Sequence, residues 1–436
     1  MKYQHRVLNV LMNGILVGSL EKSAEGGLAF VYDKSWLDTP GARPISLSLP
    51  LIDKKFSGNT VYNFFDNLLP DNPQIRSRIQ AKFHIQTDQP FDLLAKIGRD
   101  CVGAIQFIES DETIYSSNKM IFKPLKDKEI ASILKNTQNY PLGMTNDENE
   151  FRISIAGAQE KSAFLYWKRK WNRPLGTTPT SHIFKLPIGY IQHQQMDLRD
   201  SCENEWLCSK ITEAFGLPVA KCEIQYFEDV KTLIVERFDR KLSKEGNIIL
   251  RLPQEDMCQA LGVSPNLKYQ SDGGPGIKDI MQLLLGSADP TKDRDMFFST
   301  QILFVLLAAI DGHAKNFSIH IEAGGKYRLT PLYDIMSAYP LLASKQLQPK
   351  KIKMAMALKG KNNHYYWSDI QRRHFLSMAS HTNYSIQRAN ELIDEMLMKV
   401  DSVVEQVASN LPNNLPTGIA QPIFDGMLLT KRKLLK

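Results

Sequence analysis

The first 60 residues carry short apolar stretches set between turn residues: Val7–Met12, Ile15–Leu20 and Leu28–Tyr32. That pattern predicts strands. Asn13-Gly14 lies between the first two and predicts a type I′ hairpin, because both central residues of that turn need positive φ. From Thr60 to about His84 the period lengthens: Phe64, Phe65, Leu68 and Leu69 share one helical face, and Pro70 and Pro73 interrupt it. Gly103 to Ile108 predicts another strand and Glu129 to Leu134 another helical piece. The polar stretch Asn146 to Glu150 marks a boundary near residue 145. Beyond it strands are expected to dominate to about residue 250 and helices to the end. No repeat and no low-complexity tract is visible.

The expected fold class is therefore α+β. A smaller β-rich N-terminal domain spans 1–145. A larger domain spans 146–436, with a β-rich lobe over about 146–250 and a helical lobe over about 251–436. A two-lobed arrangement of this kind suits a ligand held in a cleft.

Composition narrows the class without fixing it. The chain has 436 residues, 43% hydrophobic and 23% charged, which fits a globular protein and excludes a disordered one. The net charge of +7 permits acidic partners but does not demand them. Five cysteines, at 101, 202, 208, 222 and 258, include no C-x-x-C pair; reduced thiols in a cytoplasmic protein fit that spacing. Basic residues before Val7 give the N-terminus a superficial likeness to an export signal, but Asn9 and Asn13 interrupt the apolar stretch. The longest apolar run, Ile302 to Ile310, has nine residues, whereas a membrane-spanning helix needs about 20. No membrane association is expected.

Four segments carry candidate chemistry. In Phe151-Arg-Ile-Ser154-Ile155 the apolar residues alternate, which predicts a strand with Ser154 on the opposite face. Ala156-Gly157-Ala158-Gln159-Glu160-Lys161 follows, before a second strand from Ser162 to Trp167. Small residues in such a turn let backbone N–H groups approach a phosphate; an ordinary tight hairpin has the same signature. In His182-Ile-Phe-Lys185-Leu-Pro187 a lysine interrupts an apolar strand. A buried ammonium needs an anionic partner, either a phosphate or a carboxylate such as Glu205 in the helix that Asp200 and Glu203 predict by capping-box spacing. A lysine at a sheet edge, its head in water, is the alternative. In Leu233-Ile-Val-Glu236-Arg237-Phe238 an apolar strand runs into charge; if the two lobes join here, the backbone of Glu236 to Phe238 could hydrogen-bond a purine edge.

The fourth segment is the most informative. Gln301 to Ile310 is almost wholly apolar and leads into Asp311-Gly-His-Ala-Lys-Asn316. Phe317–Ile321 and Tyr327–Thr330 then predict a hairpin around Ala323-Gly324-Gly325. A hairpin returns the chain to its start, so Asn316 and Asp334 are expected side by side. Oxygen ligands of this kind suit magnesium. An Asp, an Asn five residues on and a later Asp match the spacing of a kinase catalytic loop. His313 lacks a second nearby ligand, so a hydrogen-bonding role is expected of it rather than a metal-binding one. The basic positions Lys345, Lys350, Lys351, Lys353, Lys359, Lys361 and Lys431-Arg432-Lys433 read as solvated surface or as phosphate contacts.

Together these segments resemble the HipA family of bacterial toxin kinases. The resemblance also runs through Arg-Pro-Ile-Ser46-Leu-Ser-Leu-Pro50, Asn63-Phe-Phe-Asp-Asn-Leu-Leu-Pro70, Ile97-Gly-Arg-Asp-Cys-Val-Gly103, Arg-Leu-Pro-Gln254-Glu-Asp-Met-Cys258 and Ser-Asp-Gly-Gly-Pro-Gly276. It implies a protein-kinase-like C-terminal domain that uses ATP and Mg2+. By matching positions, Asp311 would be the catalytic proton acceptor, and Asn316 and Asp334 the metal ligands. Ala156, Gly157, Ala158, Gln159, Glu160 and Lys161 would form the phosphate loop, with Lys185 on the ATP phosphates. Glu236, Arg237 and Phe238 would hold adenine, and His313, Ala314, Lys315, Asn316, Tyr333 and Asp334 would complete the nucleotide site. Ser154 would be an autophosphorylation site. The implied partners are a HipB-type helix-turn-helix antitoxin, operator DNA through that complex, and a translation component, typically glutamyl-tRNA synthetase. The competing readings are a small-molecule phosphotransferase and a catalytically idle co-repressor.

Overall fold

The computed structural model describes residues 6–112, 119–137, 141–144, 152–157 and 159–436. The polar stretch Asn146–Glu150, Phe151 and Ala158 lie outside the described residues. The chain folds into two compact units. One comprises Met1–Leu186, Gln225–Asn266 and Ser318–Tyr327; the other comprises Pro187–Ile224, Leu267–Phe317 and Arg328–Lys436. Helices and several separate sheets make the protein α+β, as the hydrophobic pattern predicts. Among the described residues no helix is long and apolar enough to cross a membrane.

In the first unit, strands Arg6–Met12, Ile15–Lys22 and Leu28–Tyr32 form an antiparallel meander. Asn13 and Gly14 both take positive φ, 49° and 80°, as a type I′ turn requires. Ile105–Glu109 pairs with the outer side of the first strand. The predicted helical region resolves into Asn59–Asp66 and Pro73–Lys82, with proline at the start of the second. Phe30, Phe64, Phe65, Phe91 and Phe107 fill the core beneath this sheet. A second sheet runs in the order Cys222–Phe227, Val230–Glu236, His182–Lys185, Lys161–Trp167, Lys170–Pro174 and Phe122–Pro124. Phe164, Phe184 and Phe227 pack against the helix Asp127–Lys135.

Two local expectations are corrected. Arg152–Ile155 forms no strand. Ile153, Ser154 and Ile155 are all buried, so both faces of the segment are covered, and alternation does not separate core from solvent here. The Ser154 N–H donates to the Asp100 carbonyl at 3.0 Å instead of joining a ladder. The helix Ser201–Ala214 begins where predicted, but its N-cap Asp200 makes no side-chain capping bond.

A buried charge network joins three parts of the first unit. Asp100 accepts from Arg251 Nε at 2.8 Å and Arg240 Nη2 at 2.9 Å, and Arg237 Nη1 lies 3.5 Å away. Asp239 accepts from Arg237 Nη2 at 2.8 Å and from the Gly103 N–H at 2.7 Å. Thr180 donates both its N–H and its hydroxyl to Asp100. Burial alone would raise the carboxyl pKa of Asp100; the three guanidinium groups reverse that and hold it well below the usual range.

Two stability predictions follow from the buried carboxyls. Asp100→Ala leaves three arginines facing a cavity, and removal of one partner from a buried pair costs roughly 3–5 kcal/mol. Chemical denaturation should show a loss of that size. Glu255 is fully buried, accepts from the Leu47 N–H at 2.8 Å, and burial pushes its pKa up from 4.5 to about 8. The folded state thus binds a proton that the unfolded state releases above about pH 4.5. Glu255's contribution is full below that pH and fades as pH rises to about 8. Glu255→Gln should flatten the decline in unfolding free energy measured between pH 5 and 8.

Candidate active site

The helix Pro290–Leu307 is buried on every side through its last three turns, which is why its sequence is apolar without periodicity. It ends at Ala308 in a left-handed conformation, φ 47°. Ser337 Oγ donates to the Leu307 carbonyl at 2.6 Å, and the Ala338 N–H donates to the Ala308 carbonyl at 3.0 Å. These bonds satisfy terminal carbonyls that have no partner within the helix. The chain then leaves the helix and turns into the loop Asp311–Asn316.

This loop is braced locally. The His313 N–H donates to the Asp311 carbonyl at 2.8 Å, and Asn316 Oδ1 accepts from the His313 N–H at 3.2 Å. The Ala314 N–H donates to the Lys268 carbonyl at 3.2 Å. Ala314, Lys315 and Asn316 are buried, whereas Asp311 is exposed at the mouth of the loop.

Strands Ser318–Ile321 and Tyr327–Leu329 form the predicted hairpin. At its base the Asn316 Nδ2 lies 3.4 Å from Asp334 Oδ2, so the sequence-predicted pair does converge. Asp334 itself takes φ 60°, a conformation that Asp tolerates but that is sparsely populated and is often found at working sites. It is held on both sides. Before it, Leu332 exchanges backbone bonds with Pro218 and Ala220, each at 2.8 Å. After it, buried Asn204 exchanges two side-chain bonds with the Ser337 backbone, also at 2.8 Å. Tyr333 donates its hydroxyl to the Lys315 carbonyl at 2.8 Å, tying the two segments together.

The donor set fits magnesium. One carboxylate and one amide oxygen are typical of a site where substrate phosphates and water supply the other ligands. Among the described residues no cluster of three or more His, Cys, Asp or Glu could hold a metal ion.

In the other unit, Lys185 lies on a central strand paired on both sides, with only 7% of its surface exposed; the solvent-exposed alternative is excluded. Lys161 stands directly opposite it in the antiparallel register and is 6% exposed. Directly opposed residues project to one face, so two ammonium-bearing chains are concentrated there. Lys161 Nζ donates to the Ala156 carbonyl at 2.8 Å. The loop from Ala156 to Glu160 is anchored at several points: the Gly157 carbonyl accepts from the Asp71 N–H at 3.1 Å, Gln159 Nε2 donates to the Leu186 carbonyl at 2.6 Å, and Glu160 pairs with Arg78. Ser154 is 0% exposed and donates its hydroxyl to the Leu68 carbonyl at 2.7 Å.

Val230–Glu236 ends with Glu236 exposed and Phe238 half-buried, edge-on to His320 at 5.7 Å. Arg237, expected beside the nucleotide, has its side chain in the buried Asp100/Asp239 network. Its N–H donates to Ser181 and its carbonyl accepts from Arg240. It holds the strand end in place.

One residue escaped the sequence reading. Tyr269 donates its hydroxyl to Asp311 Oδ1 at 2.7 Å, and its ring meets His313 edge-on at 5.0 Å. The available signal was the glycine-rich Ser271–Gly276 immediately after it.

Two family models match the chain. The HipA-like C-terminal domain matches residues 153–404 and the HipA N-terminal domain matches residues 8–108. Over 346 residues the chain is 35% identical to a putative kinase, Y4mE, of Sinorhizobium fredii, covering 78% of this chain and 80% of that protein. It is 27% identical over 342 residues to the serine/threonine-protein kinase toxin HipA of Shewanella oneidensis, covering 76% and 75% respectively. A chain in the solved complex of HipA, HipB and operator DNA from Shewanella oneidensis has the same fold, with a TM-score of 0.81 at 22% identity over 98% of this chain and 97% of that one. The chain belongs to the HipA family of toxin kinases, and its enzyme class is serine/threonine-protein kinase.

Proposed function

We propose that this kinase transfers the γ-phosphoryl group of ATP to a serine or threonine hydroxyl of a protein, with Asp311 as proton acceptor and Asn316 and Asp334 as magnesium ligands. The observation that carries the reading is the 3.4 Å approach of Asn316 to Asp334, with Asp311 exposed on the same short loop. The substrate oxygen bonds to the γ-phosphorus as the bond to the bridging oxygen breaks. The hydroxyl proton passes to Asp311, and ADP leaves. Bound magnesium would neutralise charge on the phosphates; the protein's part is otherwise position and electrostatics.

Lys185, Lys161 and the loop Ala156–Glu160 take the phosphates in this reading. The backbone at Glu236 and Phe238 takes the adenine, and His313–Asn316 with Tyr333 completes the site. The functional boundary between the N-terminal domain and the kinase-like domain falls near residue 145, in the interval between the two family matches. The substrate is a translation component, glutamyl-tRNA synthetase being the family type. A HipB-type antitoxin and operator DNA are the partners, by analogy with the Shewanella oneidensis complex.

Autophosphorylation falls on Ser154. Because that hydroxyl is fully buried, its segment must leave the Leu68 and Asp100 carbonyls before the reaction. A dianion there cannot return to the same contacts, which gives phosphorylation a physical route to inactivation.

Intact-mass analysis after incubation with ATP and magnesium should show a gain of one phosphate mapped to Ser154, and none in Asp311→Gln. Transfer to small alcohols but not to purified synthetase would instead favour a small-molecule phosphotransferase. Lys185→Met removes a charged contact worth about 1.5–3 kcal/mol, so ATP affinity should fall roughly ten- to a hundredfold in a fluorescence titration.

A further inference from the structure

The motif Ser271-Asp-Gly-Gly-Pro-Gly276 has no part in the chemistry derived so far, yet it folds tightly onto the segment Leu267–Tyr269, which reaches the loop Asp311–Asn316. The Tyr269 carbonyl accepts from the Asp272 N–H at 3.1 Å and the Gly274 N–H at 3.0 Å. A Cβ on Gly274 would stand 1.7 Å from the Leu267 carbonyl oxygen, so only glycine permits this close return of the chain. The residues on either side of Tyr269 are anchored as well. Lys268 receives the Ala314 N–H, and Gln270 Oε1 receives the Ala357 N–H at 2.7 Å. Ala355, two residues earlier on the same strand Lys353–Lys359, donates its N–H to the Ile310 carbonyl at 2.8 Å. One strand thus fixes both the residue before Asp311 and the residue after Tyr269.

The phenol at the end of this framework donates to Asp311 Oδ1 at 2.7 Å, with its ring against His313. Asp311 is exposed, and an exposed carboxylate samples several side-chain rotamers. A carboxylate has two oxygens and about four lone pairs, so one donor can hold it and leave the other oxygen available.

We infer that Tyr269 is a positioning residue for phosphoryl transfer: its hydroxyl holds one oxygen of Asp311 so that the other is presented to the substrate hydroxyl. The inference rests on Asp311 being the base. Its effect is on orientation, where a displacement of about 1 Å can cost a hundredfold in rate. It acts on the transfer step and not on nucleotide binding.

Tyr269→Phe removes a single oxygen and keeps the ring beside His313. The test follows the time course of phosphate gain by intact mass in the full-length protein, for wild type, Tyr269→Phe and Asp311→Gln. A fluorescent ATP analogue measures nucleotide affinity, and a thermal melt checks folding. The expected result is transfer slowed about ten- to a hundredfold, with nucleotide affinity within about twofold of wild type and an unchanged melt. Wild-type speed in Tyr269→Phe overturns the inference and leaves the kinase reading standing. Faster transfer overturns it in the opposite sense, because the phenol would then be blocking the acceptor that the substrate needs. A loss of affinity that accounts for the whole rate loss also overturns it. A wild-type protein that gains no phosphate while Ser154 starts unmodified removes the autophosphorylation reading, and the three proteins are then compared for transfer to purified glutamyl-tRNA synthetase; no transfer there either removes the kinase reading and this one with it.

Discussion

The first unit depends on one buried constellation: three guanidinium groups, Arg237, Arg240 and Arg251, closed around two carboxylates, Asp100 and Asp239. Dehydrating so many charges is costly, and the cost is recovered only while every partner is in place. The network therefore acts as a geometric constraint more than as a source of net stability. It brings together a loop of the N-terminal segment, the end of the strand Val230–Glu236 and the hairpin strand Ile249–Arg251. The Asp100 main chain also receives Ser154, so the segment leading into the phosphate loop is registered against the same anchor. In this chain the residues up to Leu186 and Gln225–Asn266 accordingly pack within one unit.

The catalytic loop is arranged on a different basis. Its geometry comes from neutral hydrogen bonds that end a helix and splice short segments: Ser337 and Ala338 onto the helix end, Asn204 onto Ser337, and Lys268 onto Ala314. Neutral bonds of this sort tolerate the approach of phosphates and a divalent cation without a rearrangement of charge. The carboxyl groups of Asp311 and Asp334 are left at the exposed rim.

Much of this site was legible in the sequence because its main parts are local. Asp311 and Asn316 share one loop, and a hairpin of predictable closure brings Asp334 back to Asn316. The apolar residues around Lys185 left burial and a solvent-facing sheet edge both open; pairing of its strand on both sides decides for burial. What the sequence concealed depended on distance or on burial of both faces. Tyr269 reaches Asp311 across 42 residues, and no periodicity encodes that contact. The Arg237 charge is visible in sequence, whereas the pairing of its side chain with Asp100, 137 residues away, is not. Arg152–Ile155 alternated like a strand, but it is enclosed on both sides and takes its hydrogen bonds from loops.

The interleaving of the two units has a consequence for how the protein is made. The first unit is completed only by Ser318–Tyr327, the last of its three segments. A ribosome must therefore have synthesised three-quarters of the 436-residue chain before that unit can close, a delay of some tens of seconds at about 5–20 residues per second. Until then Gln254–Asp256 lacks its partner strand Ser318–Ile321, although both larger sheets are built from strands made earlier. The helical unit is interleaved in the same way: its last segment, Arg328–Lys436, carries Asp334, so a fragment that stops before Ser318 lacks part of both units together with Asp334.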